Sequence, residues 1–130
     1  MQDDAEAIRG LMSAYGRVLD QRDYAGWAAL FAQDGEWVGG DVYGTIRGHA
    51  DLLAFVTREF AATPPCVHML GNMAVDVEGD QASGWSRWLL IEQAPEDGMR
   101  MALAGSYDDR FVRTAHGWRI ARGVVADDLP

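Results

Sequence analysis

The side chain best able to do chemistry in this sequence is His68, in the stretch TPPCVHMLGNMAVDVEGD at residues 63–80. It stands in a strand pattern beside Val67, Met69 and Leu70, the residues such a strand would bury. An imidazole titrates near neutral pH, so a histidine facing a pocket can take a proton from a bound molecule. Glu92, at the end of the next strand pattern, is a candidate second acid or base. His49 opens a helix and His116 sits in a turn, so both read as exposed. The three histidines lack the close spacing of a ligand set, and the single cysteine, Cys66, rules out a multi-cysteine site, so no metal is expected. Cys66 follows two prolines with nothing nearby in sequence to activate a thiolate, and reads as structural. The segment GDVYG at residues 40–44 has too few glycines for a nucleotide loop.

These residues need elements to hold them. From Asp3 to Arg22 the apolar positions Ile8, Leu11, Met12, Tyr15, Val18 and Leu19 recur every three or four residues, which predicts an amphipathic helix with Tyr15 pointing inward. Asp20 falls at the margin of that buried stripe, in the last turn. Asp23 can cap a second short helix over residues 24–31, with Trp27, Leu30 and Phe31 on its apolar face. Short extended pieces broken by glycine follow, then a helix over residues 49–60 that Pro64 and Pro65 stop. Alternating patterns at Val67–Val77, Ala82–Gln93, Met99–Arg113 and Trp118–Val125 predict a four-strand antiparallel meander. Its turns fall at Gly79-Asp80, near residues 95–98, and at residues 114–117. Helices first and a long curved sheet second predict a single α+β domain over residues 1–130, with the sheet folded around the helices and one end open as a pocket.

Composition narrows the partners. Eleven basic against twenty acidic side chains give a formal charge of -9, which repels nucleic acid and anionic membrane surfaces. No run approaches the roughly 20 apolar residues of a membrane span, and the acidic start lacks the pattern of a signal peptide. A cytoplasmic protein is expected. Tryptophans and valines on an exposed sheet face would favour self-association, as a dimer or alternatively a trimer.

The order of elements, with YGRVLDQRDYAGWAALFAQDGEW, VHMLGNMAVDVEGDQASG and GSYDDRFVRTAHGWRIAR, resembles the SnoaL-like branch of the nuclear-transport-factor-two-like superfamily. The resemblance implies a cone-shaped α+β fold found in dehydratases, a dehydrochlorinase, an isomerase, polyketide cyclases and proteins that only bind. Its dehydratase and dehydrochlorinase members carry an aspartate at the end of the first helix and a histidine opening the first long strand, places held here by Asp20 and His68. Tyr15, five residues before the aspartate, matches a site tyrosine of bile acid 7α-dehydratase, and Arg122 matches an arginine used after the GW of the last strand. The chain departs from scytalone dehydratase at Leu19, Glu92, Gly105 and Tyr107, which replace a tyrosine, a histidine, a serine and an asparagine.

The roles this implies are specific. His68 acts as base, Asp20 fixes its tautomer, and Tyr15 and Arg122 hold the oxygen-bearing or departing group. Trp37, Phe55, Trp88 and Tyr107, together with Glu92, would line the pocket for a small hydrophobic substrate. The resulting expectation is a cofactor-independent lyase or isomerase that abstracts a carbon-bound proton from a small apolar cyclic or polyketide-like substrate. Two alternatives stand beside it: a non-catalytic ligand-binding domain, and a limonene-type epoxide hydrolase that would use Arg87 or Arg122.

Overall fold

Helix α1 (Asp4–Asp20) buries Ile8, Met12, Tyr15 and Leu19 along one stripe, and Asp3 caps it by accepting the Glu6 N–H. Helix α2 (Tyr24–Ala29) is capped by Asp23, which accepts the Gly26 N–H at 2.9 Å. The computed structural model describes residues 3–96 and 98–129. Helix α2 is shorter than its apolar spacing predicts, because the Ile120 N–H donates to Leu30 O and draws Phe31 into strand β1 (Phe31–Val38). The extended pieces of the glycine-rich region are the end of β1 and strand β2 (Thr45–Arg47), separated by the short helix α3 (Gly40–Tyr43). Helix α4 (His49–Ala61) then leads into the meander β3 (Cys66–Glu78), β4 (Gln81–Gln93), β5 (Met99–Thr114) and β6 (Gly117–Leu129).

The sheet is larger than the meander alone. Its order is β2-β1-β6-β5-β4-β3, with β1 parallel to β6 and every other pairing antiparallel. This curved six-stranded sheet and the N-terminal helices form an α+β architecture. Trp27, Phe31, Phe111, Ile8, Leu52 and Ile120 fill the core between them. Of the predicted turn near residues 95–98, Asp97 lies outside the described residues. Among the described residues no helix is long and apolar enough to cross a membrane.

Irregularities in the strands decide which side chains face inward. In β3 the register slips between Gly71 and Ala74, where Asn72 adopts a left-handed φ of 53°. Before that bulge His68 and Leu70 share the inner face. Val67 and Met69 therefore point outward, 47% and 55% exposed, which corrects the expectation that this strand buries them. In β6, Ile120 pairs with Phe111 while Arg122 pairs with Arg110, leaving Ala121 as an extra residue. The inner face changes there from Trp118 and Ile120 to Gly123, Val125 and Asp127.

Candidate active site

The last turn of α1 and the start of β3 meet at Asp20 and His68. Glycine at position 16 allows the approach: a Cβ there would lie 2.9 Å from Leu70 Cδ1 and 3.4 Å from His68 Cβ. Arg22, just past α1 with a left-handed φ of 57°, donates to Phe60 O, to Thr63 O at 3.0 Å and to Pro64 O at 3.2 Å. It thereby ties the ends of α1 and α4 to the segment entering β3. Asp20 accepts the His68 backbone N–H at 2.9 and 3.1 Å, and its Oδ1 lies 2.8 Å from His68 Nδ1. A carboxylate can only accept, so Nδ1 carries the proton and Nε2, on the opposite edge of the ring, is the free basic nitrogen. The His68 side chain is 7% exposed and that of Asp20 is 23% exposed.

His68 lines a cavity of about 250 Å³. An empty apolar cavity of roughly 150 Å³ accepts benzene, so this one has room for one to two fused rings. Its walls are aromatic: Tyr15, Trp37, Phe55, Trp88 and Tyr107 all contribute. Trp37 Nε1–H donates to Tyr15 Oη at 3.2 Å, which fills an acceptor position of the phenol and leaves its own O–H free to donate. Burial, and then the nearby Asp109, push the Tyr15 hydroxyl well above its ordinary range, so it stays a neutral phenol. Tyr107 is raised in the same way, first by burial and next by Tyr15. Trp88 stacks on Tyr107 with ring centroids 5.8 Å apart and donates its N–H to Ser106 O at 3.1 Å. Gly105 makes room for Trp88, since a Cβ there would collide with both the indole and Ala126 O.

Two expected site residues lie elsewhere. Arg122 follows the Ala121 bulge and faces outward, because the extra residue reverses the alternation that would have aimed it in. Glu92 lies beyond the end of the cavity, opposite Cys66 and Arg100, and pairs with the Arg100 guanidinium at 3.7 Å. The epoxide-hydrolase arrangement is not assembled. Arg87 bonds Asp128 at 3.0 Å and stacks over the Trp85 ring on the outer face, and among the described residues no arginine lines the cavity.

Other residues enter the site without having been expected there. Asp127 reaches the lining because of the β6 bulge, for which the sequence offers no signal. Glu59, Tyr43 and Phe60 come from α3 and α4. Asp109 lies in the interior beside Tyr15 and Tyr107, 7% exposed, with burial pushing its carboxyl up to about 7 and Asp108 adding to the shift. Here the signal was present: the alternation Leu103, Gly105, Tyr107 reaches Asp109 two residues on.

Asp20, Cys66 and His68 present ligand atoms within 4.8 Å of one another, a mixed set of the kind that zinc-class ions accept. Burial and the neighbouring Asp20 raise the Cys66 thiol above its ordinary pKa, and Nδ1 of His68 already holds Asp20.

The curved six-stranded sheet with N-terminal helices, enclosing an aromatic cavity, is the architecture of a nuclear-transport-factor-two-like, cystatin-like domain. Residues 2–123 match the model of the SnoaL-like domain, and the chain belongs to that family, whose members include polyketide cyclases and dehydratases. It is 33% identical over 125 residues to the uncharacterized protein Rv2910c of Mycobacterium tuberculosis, covering 93% of this chain and 83% of that one. Among solved structures it is similar to an NTF2-like protein with a cystatin-like fold from Novosphingobium aromaticivorans. That match has a TM-score of 0.87 and 29% identity, over 96% of this chain and 82% of that one. It is likewise similar to a variant of Rv3472, a protein of unknown function from M. tuberculosis, with a TM-score of 0.86 and 26% identity, over 95% and 71% of the two chains.

Proposed function

We propose that this protein is a cofactor-independent lyase or isomerase of the dehydratase type, taking a carbon-bound proton from a small, largely apolar cyclic substrate. The observation that carries the reading is the 2.8 Å contact of His68 Nδ1 with Asp20 beside an aromatic cavity that His68 lines. In this reading His68 Nε2 takes the proton next to a carbonyl group, and the C–H electron pair becomes the new double bond. The leaving hydroxide departs with its own bonding pair. It takes the proton back from the imidazolium, so that alkene and water form and the base is regenerated. Asp20 stabilises the transient imidazolium, while Tyr15 donates to the carbonyl oxygen on which charge develops. General base catalysis of this kind supplies about 10² to 10⁴ in rate, and positioning in the cavity supplies the rest.

The reading is tested in D₂O with a panel of cyclic β-hydroxy ketones, following deuterium incorporation and elimination by NMR. The expected result is turnover in the wild type that His68→Ala abolishes, together with a His68 titration that shifts in Asp20→Asn. Turnover that survives His68→Ala overturns the mechanism. Saturable binding without proton exchange by any panel member makes the domain a ligand binder instead.

A further inference from the structure

The cavity lining contains two carboxylates, Glu59 and Asp127, and among the described residues no arginine. From this, and resting on the reading of the cavity as a substrate site, we infer that the protein selects a positively charged substrate: a ring system carrying a protonated amine, with an acceptor oxygen at the deep end.

The two carboxylates differ in how free they are. Glu59 is engaged by Arg58 at 3.5 Å, an exposed pair of little strength. Asp127 has no ion-pair partner among the described residues, whereas its neighbour Asp128 holds Arg87. The rings of Trp37, Tyr43 and Phe55 pack together with centroids 4.7 to 5.7 Å apart, with Tyr43, 47% exposed, at the mouth and the other two buried behind it. Phe55 already receives a cation: the Arg58 guanidinium lies over its ring, 5.8 Å from the centroid. Aromatic faces and an unpaired carboxylate in one cavity lining are the chemistry that holds ammonium groups. The deep end has the opposite character. Trp27 is 1% exposed and its indole N–H, like that of Trp37, is directed at the Tyr15 hydroxyl, whose own O–H is free to donate. A donor there requires an acceptor on the ligand, such as a carbonyl oxygen. An anionic ligand would meet the unpaired Asp127, and the one arginine beside the lining, Arg58, already holds Glu59, against a net charge of -9 that repels an anion during approach.

Three probes of one shape separate the possibilities: 2-naphthylmethylammonium, 2-naphthylmethanol and 2-naphthoate, titrated by calorimetry at low salt. The ammonium is expected to bind about tenfold more tightly than the alcohol, with the carboxylate weakest. Added salt and Asp127→Asn should each collapse the advantage of the ammonium. The inference is overturned if the alcohol or the carboxylate binds wild-type protein as tightly as the ammonium does. If it is overturned in this way while His68-dependent proton exchange persists, the proposed function stands. If none of the three probes binds, both the inference and the cavity's role as the substrate site fall.

Discussion

Asp20 and Asp109 both lie behind residues that line the cavity, one against His68 and one beside Tyr15 and Tyr107, and their surroundings differ in kind. Asp20 accepts the backbone N–H and the ring nitrogen of one residue, His68. Asp109 sits between Gly84 and Gly123 on the neighbouring strands, and its carboxylate accepts no hydrogen bond among the described residues. Its oxygen lies so near Gly123 that a Cβ there would stand 3.0 Å from it. Burial without donors favours the neutral acid, whereas burial with donors supports the anion. Depth alone therefore does not set the charge state of a buried carboxyl group; the placement of N–H groups does.

The largest expected effect separates the two directly. Asp20→Asn offers His68 an amide that donates as well as accepts, so the tautomer is no longer fixed and proton transfer should fall by about 10² to 10⁴. Asp109→Asn should leave the same rate nearly unchanged. Deuterium exchange into a turned-over substrate measures both, and equal losses in the two variants would erase the distinction.

A second test reads stability instead of rate. The folded Asp109 carboxyl keeps its proton up to about 7, while an unfolded aspartate loses it near 3.9. Between those values the native state binds more protons than the unfolded one. Its stabilising contribution is therefore complete below about pH 4 and is lost as the pH rises through 7, a total of about 4 kcal/mol. Asparagine does not titrate. Urea melts should show Asp109→Asn gaining about 4 kcal/mol relative to wild type between pH 4 and pH 8, and a constant difference across that window would refute the assignment.

The smallest effect concerns how the dyad is held. Arg22→Ala removes the bonds to the Phe60, Thr63 and Pro64 carbonyls and should cost about 1–2 kcal/mol. The entry to β3 then loosens, so Asp20→Asn should perturb the NMR titration of His68 less in this background than in wild type. An unchanged perturbation would mean that Gly16 and the sheet position His68 without Arg22.

Much of this was readable from residue spacing. The stripe through Ile8, Met12, Tyr15 and Leu19 has a period only a helix satisfies, and the alternations in the last four strands give the meander. The chance for Asp20 to meet His68, 48 residues away, came from likeness to a family, because periodicity leaves Asp20 at the edge of its stripe. Strand β1 was partly hidden, since Phe31 fits a helical face as well as a strand and only its pairing with β6 decides. Arg122 was misplaced and Asp127 unforeseen, because alternation is inherited along a strand and a bulge resets it without a mark in side-chain type. Glu92 does follow its parity, but the cavity ends before its position.

The extra residue at Ala121 also bears on how a pocket of this kind changes its preference over time. Strand β6 carries an arginine and an aspartate five positions apart, and they necessarily occupy opposite faces. With the irregularity before both, Asp127 looks in and Arg122 looks out. Were the same strand to run regularly from Ile120, keeping every residue, Arg122 would enter and Asp128 would take the place of Asp127. Adding a positive charge to the lining would then require no new side chain, only the relocation of a single backbone step, so descendants nearly identical in composition could differ in the charge they present to a ligand.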